Sequence, residues 1–248
     1  MRGPHILTWD NGAVSDPAAP APAASGPVRV TVHLLRHGLV ENPDGVLYGR
    51  LPDFHLSTVG KAMAERIADH LTAADIGYLA ASPLERAAET AAPLAGALQL
   101  PVVTDPRLIE PTNFFEGTRF SVGDGVLRRP QYWRQVRNPF TPSWGEPYLQ
   151  IAHRMLGAVY AAIDVLTGRL DTGASTRHEA VLVSHQLPIW TLRRYLQGQR
   201  LWHNPSRRQC ALASLTSLTF TDRVFTDLRY SEPAADLVPA AASGSTGA

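Results

Sequence analysis

The sequence lacks several features that mark particular classes of protein. Cys210 is the only cysteine among 248 residues, so no intrachain disulfide can form and a reducing compartment fits best. No apolar run approaches the roughly 18 residues that a membrane helix needs. The N-terminus also has no apolar stretch long enough for a secretory signal. We therefore expect a cytoplasmic protein with no membrane partner.

Charge is also scarce and nearly balanced. Charged residues make up 18% of the chain, and the formal net charge is +1. Such a chain has no overall field that would attract nucleic acid, so we expect no nucleic-acid partner, and any preference for anions must be local. The sequence contains no HExxH, CxxC or paired-aspartate pattern, so we expect neither a metal nor another cofactor.

The two ends of the chain differ in composition from its middle. Residues 17–27 are almost entirely proline, alanine and glycine, which predicts a disordered leader over residues 1–27. A similar composition predicts a disordered tail over residues 231–248. Residues 28–230 are then expected to form one folded domain, with an insertion at about residues 112–147.

Within this domain, strand-like apolar runs alternate with helical patterns. This alternation predicts an α/β three-layer sandwich with a mostly parallel, doubly wound sheet, and the last two β runs predict an antiparallel edge. Ser57 is a candidate N-cap for the first helix. Ser82 to Glu85 has the pattern of a capping box with proline at the first helical position, and Pro93 is expected to break or kink that helix.

Chemistry-bearing residues follow three of the predicted strands. Arg36 and His37 end the first strand, Ser82 to Arg86 follows the second, and His185 ends the strand AVLVSH. Ligands of open α/β sheets bind outside the carboxyl ends of the strands. Two histidines and two arginines are therefore expected to converge there, near a helix N-terminus that favours anions.

The segments LLRHG, SPLERAAET and VLVSH, in this order and at strand ends, resemble the histidine phosphatase, or phosphoglycerate mutase-like, superfamily. RHG alone is a weak signal, whereas SPLxRAxET is far more specific. The resemblance covers nearly all of the predicted folded domain. It implies the phosphoglycerate mutase-like fold and phosphoryl-transfer chemistry.

The resemblance implies a role for each matching residue. His37 would be the nucleophile that forms a phosphohistidine, while Arg36 and Arg86 would hold the phosphoryl oxygens with planar, permanently charged groups. His185 would donate a hydrogen bond to the transferring group, and losing one such donor typically costs about 3 kcal/mol in the barrier. Glu110, which follows Arg-Leu-Ile as the family glutamate follows its "RL" pair, would be the general acid and then the base. Without the resemblance, Glu110 would be interpreted as a solvated loop carboxylate.

Three further residues are candidate phosphate or substrate ligands. Arg50 lies in YGRLPD, which is similar to the family's "GRxDxxLT" loop. Asn42 lies one residue short of a position where many members have an asparagine ligand, and Gln186 directly follows His185. Glu146 and Arg154 match a "GE" and a following helix arginine, which predicts an ion pair or a cap contact.

Residues 128–144 carry four arginines and four aromatic residues but no acidic residue. One interpretation is a cap that selects an anionic or ring-bearing substrate. The other is an ordinary solvated loop whose aromatic side chains pack on the core. The sequence leaves both open.

Three functions are compatible with these patterns. The favoured one is a metal-independent phosphomonoesterase that acts on a small phosphorylated metabolite. A phosphoglycerate mutase is less favoured, because Pro-Thr-Asn-Phe stands where the family's mutases usually have Arg-His-Tyr-Gly after the catalytic glutamate. A catalytically silent relative that binds phosphorylated ligands usually lacks a core residue, and none is missing here. Family habit is compatible with a homodimer.

Overall fold

The computed structural model describes residues 26–119, 145–173 and 176–238. The predicted leader lies almost wholly outside these residues. So do residues 128–144, most of the predicted insertion and the end of the tail.

The described residues contain one mixed sheet with the strand order β3-β2-β4-β1-β5-β6. Strands β1 to β4 are parallel, β5 is antiparallel to β1, and β6 pairs antiparallel with β5 at the sheet edge. The predicted antiparallel edge is thereby confirmed. Its turn is tight, because Asp222 and Arg223 both have the positive φ of a two-residue hairpin. The strands are β1 (Arg29–Arg36), β2 (Ile76–Ala81), β3 (Val103–Thr104), β4 (Glu179–Ser184), β5 (Leu215–Thr221) and β6 (Val224–Ser231).

Helices cover both faces of this sheet, so the predicted three-layer α/β sandwich is confirmed. Helices α1 and α2 pack on one face, and α3 and α4 pack on the other. Within the described ranges, no helix is long and apolar enough to cross a membrane. The helices are α1 (Thr58–Leu71), α2 (Glu85–Leu98), α3 (Tyr148–Asp171) and α4 (Gln186–Leu196).

Helix α1 begins as its sequence predicts. The Ser57 hydroxyl accepts a hydrogen bond from the Gly60 N–H at 3.0 Å, which confirms the N-cap. Met63, Ile67 and Leu71 recur at helical spacing, and all three are buried against the sheet.

Helix α2 begins differently from its sequence pattern. The predicted capping box is wrong, because the helix begins at Glu85 with Leu84 as N-cap and without a side-chain cap. Ser82 Oγ instead lies 2.8 Å from His185 Nε2. Pro93 does not break the helix, which continues to Leu98. The hydroxyl expected to cap α2 thus serves the predicted site.

The ordered chain extends past the predicted start of the tail. Ser231 ends β6, Ala234 is buried, and a short 3₁₀ helix spans Ala235–Leu237. Leu237 and Val238 pack against the core on the α1–α2 face. These contacts place residues 234–238 on the folded domain, and alanine and proline content does not reveal them.

The register of the parallel strands brings the predicted motifs together. Arg36 of β1 pairs with Ser184 of β4, and Ala81 of β2 pairs with Val183 of β4. The next backbone bonds continue this alignment, since His37 N–H donates to Ser184 O and Ser82 N–H donates to Val183 O. The segments that follow β1, β2 and β4, which carry the three predicted motifs, therefore begin at the same edge of the sheet.

Two glycines allow the loop after β1 to lie directly on α1. A Cβ at Gly38 would lie 2.6 Å from Gly60 O, and a Cβ at Gly60 would overlap Leu39 O. Both contacts are with backbone, which cannot rotate away as a side chain can. This close approach fixes the backbone of the residue next to His37.

The variant Gly60→Ala tests that packing. In an ordinary helix this change stabilises by up to about 1 kcal/mol. Here the added Cβ clashes with Leu39 backbone, so we expect a loss of roughly 2–4 kcal/mol in the free energy of unfolding, measured by urea denaturation. The exposed neighbouring variant Lys61→Ala is the control and should change stability by less than about 0.5 kcal/mol. A stabilising effect of Gly60→Ala would contradict the packing.

Candidate active site

His37 lies at the carboxyl end of β1 with no exposed surface. Its Nδ1 lies 2.8 Å from Gly38 O, which can only accept, so Nδ1 carries the proton. Nε2 is buried and has no hydrogen-bond partner among the described residues. Burial, followed by the charges of Arg86 and Arg36, holds the pKa of His37 well below its ordinary value of 6.5. The ring is therefore neutral near pH 7, with a lone pair on Nε2.

Arg86 is fully buried on the first turn of α2. One terminal nitrogen donates to Gly49 O at 2.5 Å, and the guanidinium carbon lies 4.7 Å from the centre of the Tyr48 ring. Its Nε and its other terminal nitrogen have no hydrogen-bond partner among the described residues. Arg86 is thus not a surface ion-pair partner of Glu85 or Glu89, and Glu89 instead bonds His55 and the Leu56 N–H.

Arg36 is also buried, and it donates to Cys210 O at 2.7 Å. Its charge contributes to the lowered pKa of both His37 and His185, which places it at the same site as Arg86. Two permanent cations therefore accompany His37.

His185 is the N-cap residue of α4, and its ring centre lies 5.1 Å from that of His37. Burial, followed by the proximity of His37, holds its pKa well below 6.5. Nε2 lies 2.8 Å from Ser82 Oγ, whereas Nδ1 is buried, lies 3.9 Å from Glu110 Oε2 and has no hydrogen bond among the described residues. When the Ser82 hydroxyl donates to Nε2, the proton of the neutral ring lies on Nδ1.

Glu110 is buried beside these groups rather than solvated. Burial raises the pKa of its carboxyl from 4.5 to about 7, against the opposing charges of Arg86, Arg208 and Arg36. Its Oε2 has no hydrogen-bond partner among the described residues. A carboxyl with this pKa can both give and take a proton near neutral pH.

Three side chains hold the backbone that carries Glu110. Ser184 Oγ donates to Leu108 O at 2.6 Å, and a terminal nitrogen of Arg154 donates to Arg107 O at 2.5 Å. Glu146 bonds Arg154 with both oxygens, at 2.8 and 2.9 Å, which confirms the predicted ion pair. The segment is therefore fixed by groups from β4 and α3.

Arg50 also holds the backbone of the Glu110 segment. Its Nε donates to Glu110 O, and a terminal nitrogen lies 3.6 Å from Glu146 Oε2. The sequence predicts Arg50 as a substrate ligand, but the contacts of its side chain hold the Glu110 loop. These contacts were not readable from the sequence, because the partners are 60 and 96 residues away in the chain.

The hydrogen bonds of the Asn42 side chain lie within its own loop. Its side-chain amide bonds both the N–H and the C=O of Val46, so it closes its own loop. Gln186 is buried at the start of α4, donates to Cys210 O at 3.4 Å and accepts from Arg208 at 3.2 Å. Of the three softer candidates, Gln186 alone lies next to an arginine of the site.

Sequence reasoning missed three residues of this arrangement. Tyr48 packs on Arg86, and its ring centre lies 6.4 Å from that of His37. Thr90 Oγ1 accepts from the Gly38 N–H at 3.1 Å and donates to Arg86 O at 2.7 Å. Arg208 precedes β5 and acts on the pKa of Glu110. Tyr48 adjoins the GR pair and Thr90 ends SPLERAAET, so local motifs pointed to these two, whereas no motif contains Arg208.

Taken together, the site presents an unprotonated imidazole nitrogen, two buried arginines and a carboxyl whose pKa is raised to about 7. Such a set can bind a phosphoryl group, attack it and move a proton. Among the described residues, no three His, Cys, Asp or Glu side chains are grouped so that they could hold a metal ion.

Curated relatives share much of this sequence. The chain is 57% identical over 209 residues to "Uncharacterized protein Rv0525" of Mycobacterium tuberculosis (strain ATCC 25618 / H37Rv), which covers 84% of this chain and 99% of the relative. It is 29% identical over 138 residues to "Probable phosphoglycerate mutase GpmB" of Proteus mirabilis (strain HI4320), covering 53% of this chain and 62% of that protein.

Solved structures share the fold. The mycobacterial glucosyl-3-phosphoglycerate phosphatase Rv2419c superposes with a TM-score of 0.62 at 24% identity, over 82% of this chain and 96% of that chain. The model of the histidine phosphatase superfamily (branch 1) matches residues 32–232, which include every residue of the site. The chain belongs to the histidine phosphatase superfamily.

Proposed function

We propose that the protein is a phosphomonoesterase that moves a phosphoryl group from a small phosphorylated metabolite to His37 and then to water. The observation that carries this proposal is His37 Nε2, which is deprotonated and has no hydrogen-bond partner among the described residues, while the charges of Arg86 and Arg36 lower the pKa of the ring. A lone pair held in a cationic site suits attack on an anionic phosphorus centre, because the repulsion between nucleophile and phosphate is reduced.

In the first half-reaction, Arg86 and Arg36 hold the phosphoryl oxygens. His37 Nε2 forms a bond to phosphorus while the bond to the leaving oxygen breaks, and the Glu110 carboxyl gives its proton to that oxygen. The Nδ1 proton stays on the ring and continues to donate to Gly38 O. This contact stabilises the cationic ring of the phosphohistidine.

In the second half-reaction, the Glu110 carboxylate takes a proton from water as the water oxygen attacks phosphorus. The N–P bond breaks and orthophosphate leaves, so His37 and Glu110 return to their starting states. In both halves, His185 donates a hydrogen bond from its Nδ1–H to a phosphoryl oxygen and keeps that proton, and the Ser82 hydroxyl holds this tautomer by donating to Nε2.

Mutase activity is the second candidate, since one relative is described as a probable phosphoglycerate mutase. A mutase returns the phosphoryl group to another oxygen of the substrate rather than to water. Thr112 and Asn113, near Glu110, stand where mutases of the family usually carry histidine and tyrosine, which favours the phosphatase.

Release of orthophosphate tests the proposal. We expect the protein to hydrolyse p-nitrophenyl phosphate and glycerol 3-phosphate at rates that an excess of chelator leaves unchanged. With 3-phosphoglycerate, phosphate release should exceed isomerisation, both followed by NMR. Loss of turnover in chelator would overturn the metal-free chemistry, and faster isomerisation would favour the mutase.

A further inference from the structure

Arg208 lies in the segment between α4 and β5, and two neutral groups fix its guanidinium. Its Nε donates to His203 Nε2 at 2.9 Å, and one terminal nitrogen donates to Gln186 Oε1 at 3.2 Å. Both partners are buried. A long side chain is thus held in one orientation by residues of α4 and of its own loop.

His203 is a dedicated neutral acceptor for this arginine. Its Nδ1 donates to Leu201 O at 2.7 Å, which leaves Nε2 as the acceptor for Arg208. Burial lowers the pKa of His203 to about 4, and the charge of Arg208 contributes to the lowering. The pair therefore holds Arg208 without neutralising its charge.

Arg208 has no carboxylate partner among the described residues. By contrast, Arg154 and Arg50 both contact Glu146, and Arg107 contacts Asp105. For Arg208, no Asp or Glu oxygen of the described residues lies within ion-pair distance. Burial lowers the pKa of Arg208, so its charge is held where water is partly excluded. A cation in such a place is costly unless an anion joins it.

A chain of hydrogen bonds links this cation to the phosphoryl site. Cys210 O accepts from Arg36 at 2.7 Å and from Gln186 at 3.4 Å, and Gln186 accepts from Arg208. The charge of Arg208 also acts on Glu110 and on Arg36. Arg208 therefore lies beside the residues that surround the proposed nucleophile.

Charge favours an anion at Arg208 as well. A phosphate monoester carries about two negative charges near neutral pH, which Arg36 and Arg86 would hold in the proposed reaction. Glu110 is half protonated near pH 7, so it neutralises Arg208 only in part. A substrate with one more negative group would complete the balance.

We propose that Arg208 is a specificity residue that binds a second anionic group, a carboxylate or another phosphate, on the substrate of the His37 site. The inference rests on the proposed function, because it assigns the part of the substrate that does not react. The alternative role, in which Arg208 only stabilises the Glu110 carboxylate, affects every substrate equally.

The test compares substrates that differ only in the second anion. The ratio of kcat/KM for 3-phosphoglycerate to that for glycerol 3-phosphate measures the preference for a second group that is a carboxylate. The ratio for fructose 1,6-bisphosphate to that for fructose 6-phosphate measures the preference for a second group that is a phosphate. We expect the full-length protein to prefer the doubly charged member of at least one pair. Arg208→Gln should lower that ratio by about tenfold to hundredfold, as expected for one charged hydrogen-bonded contact.

Arg207→Gln is the matched control, because Arg207 is the exposed neighbour of Arg208. It should leave both ratios unchanged. Arg208→Lys keeps the positive charge but loses the planar guanidinium, and it should give an intermediate ratio. If Arg208→Gln is unstable, Arg208→Lys still shows whether the positive charge determines the ratio. Ratios that stay within twofold in both Arg208 variants, or a wild type without preference in either pair, would overturn the proposal.

Binding distinguishes failure of this inference from failure of the proposed function. If the wild type releases phosphate from no substrate, the phosphatase assignment fails. Titration calorimetry of the same four compounds with His37→Ala then decides the role of Arg208. Tighter binding of a doubly charged member, lost on adding Arg208→Gln, supports the inference, and equal binding within each pair contradicts it.

Discussion

The variant His37→Ala is expected to lower kcat for p-nitrophenyl phosphate at least about a thousandfold, because it removes the atom that attacks phosphorus. No neighbouring group can substitute readily. His185 Nε2 is engaged with Ser82, and its Nδ1 carries the proton in the proposed mechanism. The loss should appear in kcat and not in KM alone, since the arginines that bind phosphate remain.

A second histidine variant serves as the control for this prediction. His70→Ala changes an exposed residue near the end of α1 and should keep the wild-type rate. Both proteins should melt within a few degrees of the wild type, as small differences in stability predict. If His37→Ala retained even a tenth of the wild-type rate, His37 would not be the nucleophile.

The second large effect is expected for Glu110→Gln, and it should depend on the leaving group. An alkyl phosphate such as glycerol 3-phosphate releases a basic alkoxide that needs a proton, so we expect a loss of about 10²–10⁴-fold in kcat/KM. p-Nitrophenyl phosphate releases a stable anion, so its first half-reaction should lose far less. A ratio of the two losses near one would contradict the role of Glu110 as acid.

The pH dependence of kcat/KM in the wild type tests the same role of Glu110 as the acid. The pKa of Glu110 is raised to about 7, so the carboxyl keeps its proton up to that pH and loses it above. kcat/KM for glycerol 3-phosphate should therefore fall as pH rises through about 7, and Glu110→Gln should lack this limb. The exposed variant Glu41→Gln is the control and should keep it. If the fall of kcat/KM above about pH 7 persisted in Glu110→Gln, it would be due to the titration of another group.

The convergence of His37, Arg36, Arg86 and His185 was predictable because each lies within a few residues of a strand end. Parallel strands place their carboxyl ends at one edge of a sheet, and the observed register between β1, β4 and β2 does so here. Local sequence therefore sufficed for these four residues. Their proposed roles rest on the family resemblance and on the kinetics described above.

The contacts that the sequence did not reveal join residues that are distant in the chain. Ser82 fits a capping box, yet its hydroxyl bonds His185, which lies 103 residues away. Arg50 matches a substrate-binding motif, yet it holds the Glu110 backbone. Arg208 lies in no motif, and its environment is created by Gln186 and His203 only after folding. Propensity and spacing carry no information about such partners.

The most direct test of the central claim is to isolate the phosphorylated enzyme. The protein is mixed with p-nitrophenyl phosphate, quenched in alkaline denaturant, in which phosphohistidine survives, and digested for mass spectrometry. We predict one phosphoryl group on His37, and more of it in Glu110→Gln, because attack by water then lacks its base. Turnover without a phosphoryl adduct on His37, or with the adduct on another residue, would contradict the account.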